Sequence, residues 1–152
     1  MIDSQKLVEF AKNPEMAIQN LDPLLDLLDS KDETELSIAS DLFENCGVPK
    51  VQDIPFLCEQ LKSGRSSRVY WCSTLLGRFG QTVSDQNDRS RMHSNLCNAI
   101  NDESLDLSAR ERAAWAMGEI GRFDNDCRAI LKNHVDKAPP RLKRLLETAL
   151  AT

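Results

Sequence analysis

The side chains able to do chemistry are few and scattered along the chain. The two histidines, His93 and His134, lie far apart; His93 falls on a polar helix face and His134 at a repeat position otherwise filled by leucine. A metal site needs several ligands at set spacings, and neither histidine belongs to such a set. The five cysteines are Cys46, Cys58, Cys72, Cys97 and Cys127. Their number is odd, no pair has the CxxC spacing, and each sits in an apolar helical stretch, so they read as buried thiols of a reducing compartment. Phosphate-binding glycine loops, dinucleotide fingerprints, GxSxG and HExxH are all missing. The pattern therefore predicts no catalytic residue, no metal and no cofactor, and a protein that is not an enzyme. What remains is recognition chemistry. Tyr70 and Trp115 stand among arginines and glutamates in a chain with only eight Phe, Tyr and Trp residues.

Helices must position those residues. Leu, Ala, Glu, Asp, Arg and Ser dominate, while Val and Ile are scarce, so strand formers are few. Hydrophobic residues make up 41% and charged residues 28% of 152 residues, the balance of one globular domain spanning 1–152. The start, MIDSQKLVEFAKNPE, has no apolar core of a secretory signal, and no apolar run is long enough to cross a membrane. A soluble, cytoplasmic protein with no membrane partner is expected.

Periodicity then divides the chain. Val51, Ile54, Leu57, Cys58 and Leu61 form one helical stripe, and Val69, Cys72, Leu75, Leu76 and Phe79 form the next. Ser63 and Gly64 separate them, with Ser66 or Ser67 as the expected cap of the second helix. Shifted back by 33 residues, Leu21, Leu24, Leu25 and Leu28 repeat the first stripe, and Leu36, Ala39, Leu42, Phe43 and Cys46 repeat the second. Leu96, Cys97 and Ile100 recur at a shift of 39, and Ala113, Ala116, Met117, Gly118, Ile120 and Gly121 at 41. Ile130, Leu131, Leu142, Leu145 and Ala149 complete a last copy at 73. The pattern predicts four helical hairpins, approximately 16–47, 48–80, 86–121 and 122–152, behind a capping helix over 3–12. Their helix pairs are 16–29 with 33–45, 50–62 with 66–79, 87–101 with 108–120, and 124–136 with 140–150. Pro23 and Pro55 should start or kink the helices that hold them. The polar stretch 81–90 reads as a mobile loop.

ARERAAWAMGEIG (109–121) and SSRVYWCSTLLGRFG (66–80), each after a Leu-rich helix, resemble the second helices of HEAT-like repeats. The resemblance covers roughly 16–150 and is strongest in the third hairpin. It implies an all-α, right-handed α-α superhelix, or solenoid, of about four hairpins, with second helices lining a concave face. It also implies binding or scaffolding far more often than catalysis. The family includes DNA glycosylases with a basic concave face, but this chain is acidic, with a net charge of −5.

That net charge is uneven. Residues 1–62 carry 5 Lys and 13 acids, and residues 63–152 carry 14 Lys or Arg, including all eleven arginines, and 11 acids. At 100° per residue, placing Cys72 at the centre of its buried stripe turns Tyr70, Thr74 and Arg78 to the opposite side. The same geometry turns Glu111, Trp115 and Glu119 outward on the third hairpin, and Lys143 and Glu147 on the fourth; Trp115 then either stands as an exposed anchor or folds sideways to pack on the next repeat. Trp71, near a repeat boundary, reads as core, and Gly77 and Gly118 as points of close helix approach. The expected function is a non-enzymatic protein-binding scaffold or adaptor. Its expected partner-binding residues are Tyr70, Thr74, Arg78, Glu111, Trp115, Glu119 and Lys143. The alternative is nucleic-acid binding through Arg78, Arg110, Arg112, Arg141, Lys143 and Arg144, helped by the acid-free segment KAPPRLKR (137–144).

Overall fold

The computed structural model describes residues 2–152, and among these the regular elements are all helical: nine α-helices and three 3-10 segments, with no strand. None of the helices is long and apolar enough to cross a membrane. The chain divides into two compact units, Met1–Lys50 and Val51–Thr152.

In the first unit, α1 (Ser4–Lys12) packs on a 3-10 segment (Pro14–Asn20) and on α3 (Glu33–Asn45), which also packs on α2 (Leu21–Leu27). Acidic caps set the starts of α1 and α3, where unpaired backbone N–H groups need acceptors. Asp3 accepts from the Lys6 amide at 2.8 Å, and Asp32 from the Thr34 amide at 2.8 Å. The helix expected over 16–29 is divided, because Pro23 lacks an N–H and its ring clashes with the carbonyl four residues back. The α-helical part accordingly begins only at Leu21, and tighter 3-10 geometry precedes it. Leu24, Leu25, Ala39 and Phe43 are fully buried in this unit.

The second unit holds three hairpins: α4 (Ile54–Gln60) with α5 (Ser66–Gly77), α6 (Gln86–Asn101) with α7 (Leu107–Ile120), and α8 (Asn125–Val135) with α9 (Pro140–Leu150). Like packs beside like: α4 on α6 on α8, and α5 on α7 on α9. Pro55 and Pro140 sit in the first turns of their helices, where the missing N–H leaves no bond unmade. Gly64 turns the chain at φ +72°, a conformation that disfavours a side chain. Along α6, Met92, Leu96 and Ile100 recur every fourth residue and are fully buried, each contributing about 1.5–3 kcal/mol relative to exposure. On α7 the buried stripe is mostly small (Ala109, Ala113, Ala116), which lets its neighbours approach closely.

Two local expectations change. The stretch 81–90 is not one loop, since α6 already begins at Gln86. Asp85 caps it by accepting from the Asp88 amide at 2.9 Å, and Arg89 reaches back to donate to the carbonyls of Val83 and Ser84. Nor does Ser66 or Ser67 cap α5. The cap residue is Arg65, whose side chain makes no capping bond to the helix, and the Ser66 hydroxyl instead accepts from the Asp106 amide at 2.8 Å, tying α5 to the start of α7.

Candidate functional site

The second helices of the second unit share one groove. α5 contributes Tyr70, α7 contributes Ser108, Glu111, Arg112 and Trp115, and α9 contributes Arg141 and Leu145. They enclose a cavity of about 210 Å³.

Its centre is Arg112. The guanidinium carbon lies 4.4 Å from the centroid of the Trp115 ring and 5.2 Å from that of Tyr70. Both are within cation–π range. Arg112 Nε donates to Thr74 Oγ1 at 2.8 Å, and the Thr74 hydroxyl donates in turn to the Tyr70 carbonyl at 2.8 Å. A hydroxyl that gives its proton to its own helix keeps lone pairs for a second donor, so Thr74 is an acceptor aimed at Arg112. Neither terminal nitrogen of Arg112 bonds another described residue. At the rim, Arg141 Nε stands 3.3 Å from Glu111 Oε2. Arg141 is 76% exposed, so water screens this pair and it contributes little to stability.

The Trp115 ring comes close against α5 at Gly77, which has no side chain. A Cβ at Gly77 would stand 2.5 Å from Trp115 Cζ3 and 3.1 Å from the Ala116 Cα. At Gly118 the facing residue is Ala149 of α9, 3.7 Å from where a Cβ would lie. Gly77 thus marks a close helix approach, whereas at Gly118 an added methyl would make only ordinary contact. Trp71 is partly buried and meets Tyr70 edge-on at 5.0 Å.

Of the residues expected on this face, Tyr70, Glu111 and Trp115 come together. Thr74 is not exposed as expected: it is completely buried, because Arg112 from α7 folds over it. Arg78 and Glu119 lie one turn beyond Thr74 and Trp115 on their helices and do not line the groove. Lys143 is turned about 200° around α9 from Arg141, since it lies two positions along the helix. The register of α9 explains this. Leu142, Leu146 and Ala149 are its buried stripe, while Leu145, expected in the core, faces the groove. Ser108, Arg112, Arg141 and Leu145 line the groove but are missing from the expected protein-binding set. The signal for Arg112 is its place one turn before Trp115 and beside Glu111.

The basic residues do not form one track. Arg110 is turned about 200° from Arg112 on α7. It lines a separate hollow with Glu103, Asn133, His134 and Lys137, and its Nε donates to the Ile100 carbonyl at 2.8 Å.

His93 is not on a polar face. It is 4% exposed, its Nε2 lies 2.9 Å from the Gly121 carbonyl, and its ring meets Phe123 edge-on. The buried stripe of α6 is wide enough to include it because the chain leaving α7 folds over that helix. All five cysteines are free and buried. Burial pushes the thiols of Cys58, Cys72 and Cys127 up to about 12, which suppresses the nucleophilic thiolate. Among the described residues no group of three His, Cys, Asp or Glu side chains converges as a metal site would require.

Compared with known proteins, the chain matches no family model, no curated protein and no solved structure.

Proposed function

We propose that the chain is a non-enzymatic protein-binding scaffold or adaptor of HEAT-like type. In this reading the three hairpins of Val51–Thr152 stack as a right-handed α-α solenoid, and a hairpin of the same kind lies in the first unit. The second-helix face of α5, α7 and α9 is the binding surface, with Tyr70, Arg112 and Trp115 as its anchors. One observation carries the reading: two partly exposed aromatic rings and an arginine are held together in a groove, the composition that dominates binding energy at protein interfaces. Dispersal of the arginines over different faces argues against a nucleic-acid track, which needs several cations aligned along one backbone.

The test is affinity capture from the native cell with the immobilised chain and with a Tyr70→Ala/Trp115→Ala variant whose fold is checked by circular dichroism. The expected result is a defined protein retained by the wild type, insensitive to nuclease, and lost from the variant. Equal retention by both chains overturns the reading. So does capture abolished by nuclease together with salt-sensitive retention on heparin.

A further inference from the structure

The groove's charge and donor geometry narrow the chemistry of what it takes. We infer that Arg112 receives a carboxylate, supplied by a single aspartate or glutamate side chain of the partner protein. The inference rests on the protein-binding reading of this face and adds the chemical class of the ligand to it.

A guanidinium has two faces and a rim of five N–H donors. The Arg112 guanidinium lies over the Trp115 and Tyr70 rings, and Thr74 takes the Nε–H. The outer edge, with Nη1 and Nη2, remains without a protein acceptor while the residue lines the cavity. Two parallel N–H groups on a fixed edge match the two oxygens of a carboxylate, and such charge-assisted pairs are roughly twice as strong as neutral hydrogen bonds.

Net charge separates a carboxylate from a phosphate chain. The ionisable groups lining the groove are Arg112, Arg141 and Glu111, a formal sum of +1. One carboxylate neutralises that sum. A polyanionic backbone would instead be laid against the Glu111 carboxylate, which already occupies Arg141 at 3.3 Å. Like charge at such range is a means of excluding wrong partners. Size points the same way. About 210 Å³ is below the ~300–1,000 Å³ usual for small-molecule and cofactor sites, and it suits a side chain inserted from outside. Leu145 and the Trp115 ring supply an apolar wall, so the acidic residue should be followed or preceded by an apolar one.

A phage-displayed library of random dodecapeptides, selected on the whole chain, tests this. Recovered peptides are synthesised, and Kd is measured against wild type, Arg112→Gln, Arg112→Lys, Trp115→Ala and Lys132→Gln, the last removing one exposed charge from α8. The expected peptides carry Asp or Glu beside an apolar residue. Arg112→Gln should weaken them at least ~tenfold, as should changing the peptide's acid to its amide, with no further loss when both are combined. Arg112→Lys should also bind more weakly, because a point charge lacks the two-pronged edge. The peptide-side change requires no protein variant, so a poorly folding Arg112 mutant cannot obscure the result. Peptides that lose affinity on Trp115→Ala but contain no acid, or tolerate its amide, overturn the carboxylate inference and leave the protein-binding reading standing. Acidic peptides weakened equally by Lys132→Gln and Arg112→Gln overturn both, since general attraction would then explain them. A library yielding no peptide that competes at this face also counts against both.

Discussion

Gly77→Ala probes the contact that holds the groove together. The added methyl would lie 2.5 Å from Trp115 Cζ3 and 3.1 Å from the Ala116 Cα. The indole can swing aside, but Ala116 Cα is backbone and moves only with α7. Forcing extra volume into a packed contact costs ~1–3 kcal/mol, and alanine's helical preference over glycine returns at most ~1, so a net loss of ~1–2 kcal/mol is expected. Trp115→Ala alone should cost ~2 kcal/mol, less than the ~3–5 of a fully buried Trp because the ring is partly exposed. In that background Gly77→Ala meets no ring, and the methyl fills part of the space left behind. The 3.1 Å approach to the Ala116 Cα remains, so its cost should fall by ~1 kcal/mol without vanishing, a coupling of that size between the sites. Urea unfolding followed by far-UV circular dichroism, on the wild type, both single variants and the double variant, gives the four stabilities. If Gly77→Ala costs the same with and without the indole, Trp115 does not rest on Gly77 and the groove is built differently.

Two further outcomes follow from buried titratable groups. All five thiols should resist an aromatic disulfide reagent in the native state and react together on unfolding, because burial raises Cys58, Cys72 and Cys127 to about 12; rapid native labelling of any of them refutes that burial. Burial lowers the pKa of His93 below its ordinary 6.5, against the opposing influence of the Gly121 carbonyl. The unfolded chain therefore binds the proton more readily, and the stability this histidine contributes is complete above 6.5 and declines as pH falls below it. Melting temperature should drop between about pH 7.5 and 5.5 in the wild type and drop less in His93→Gln; equal slopes would mean that His93 is not the group responsible.

Helix positions were readable from the sequence where a single buried stripe governed them. The 33-residue recurrence of leucines marks both helices of the early hairpins, and the apolar stripe of α7 leaves Trp115 outside the core, where its ring packs sideways against Gly77 of α5. Side-chain reach was not readable. Thr74 lies opposite Cys72 on its helix, which suggests exposure, but Arg112 crosses from α7 to cover it. Helical angle places a Cβ; it does not say where a long arginine will lay its guanidinium. The fourth hairpin went astray at one position. Alignment to the second hairpin puts Leu142, Leu145 and Ala149 in the core; Leu142 and Ala149 are buried there, but Leu146 takes the third place and Leu145, about 100° around the helix from it, faces the groove. His93 escaped for a related reason: what covers it, Gly121 and Phe123, comes from the far end of another helix.

The bond from Arg112 to Thr74 has a consequence for timing. Arginine is among the most conformationally mobile side chains, and immobilising such a residue at an interface commonly costs ~0.5–1.5 kcal/mol at the moment of association. Here the rotamer is chosen earlier. Thr74 is fixed by its own helix, the Nε–H is fixed by Thr74, and two rings lie against the guanidinium. The charge is carried by α7 but aimed by α5, so its direction is settled when those two helices pack. Anything that settles on the outer edge meets a cation whose disorder was surrendered during folding, and the encounter orders only the newcomer.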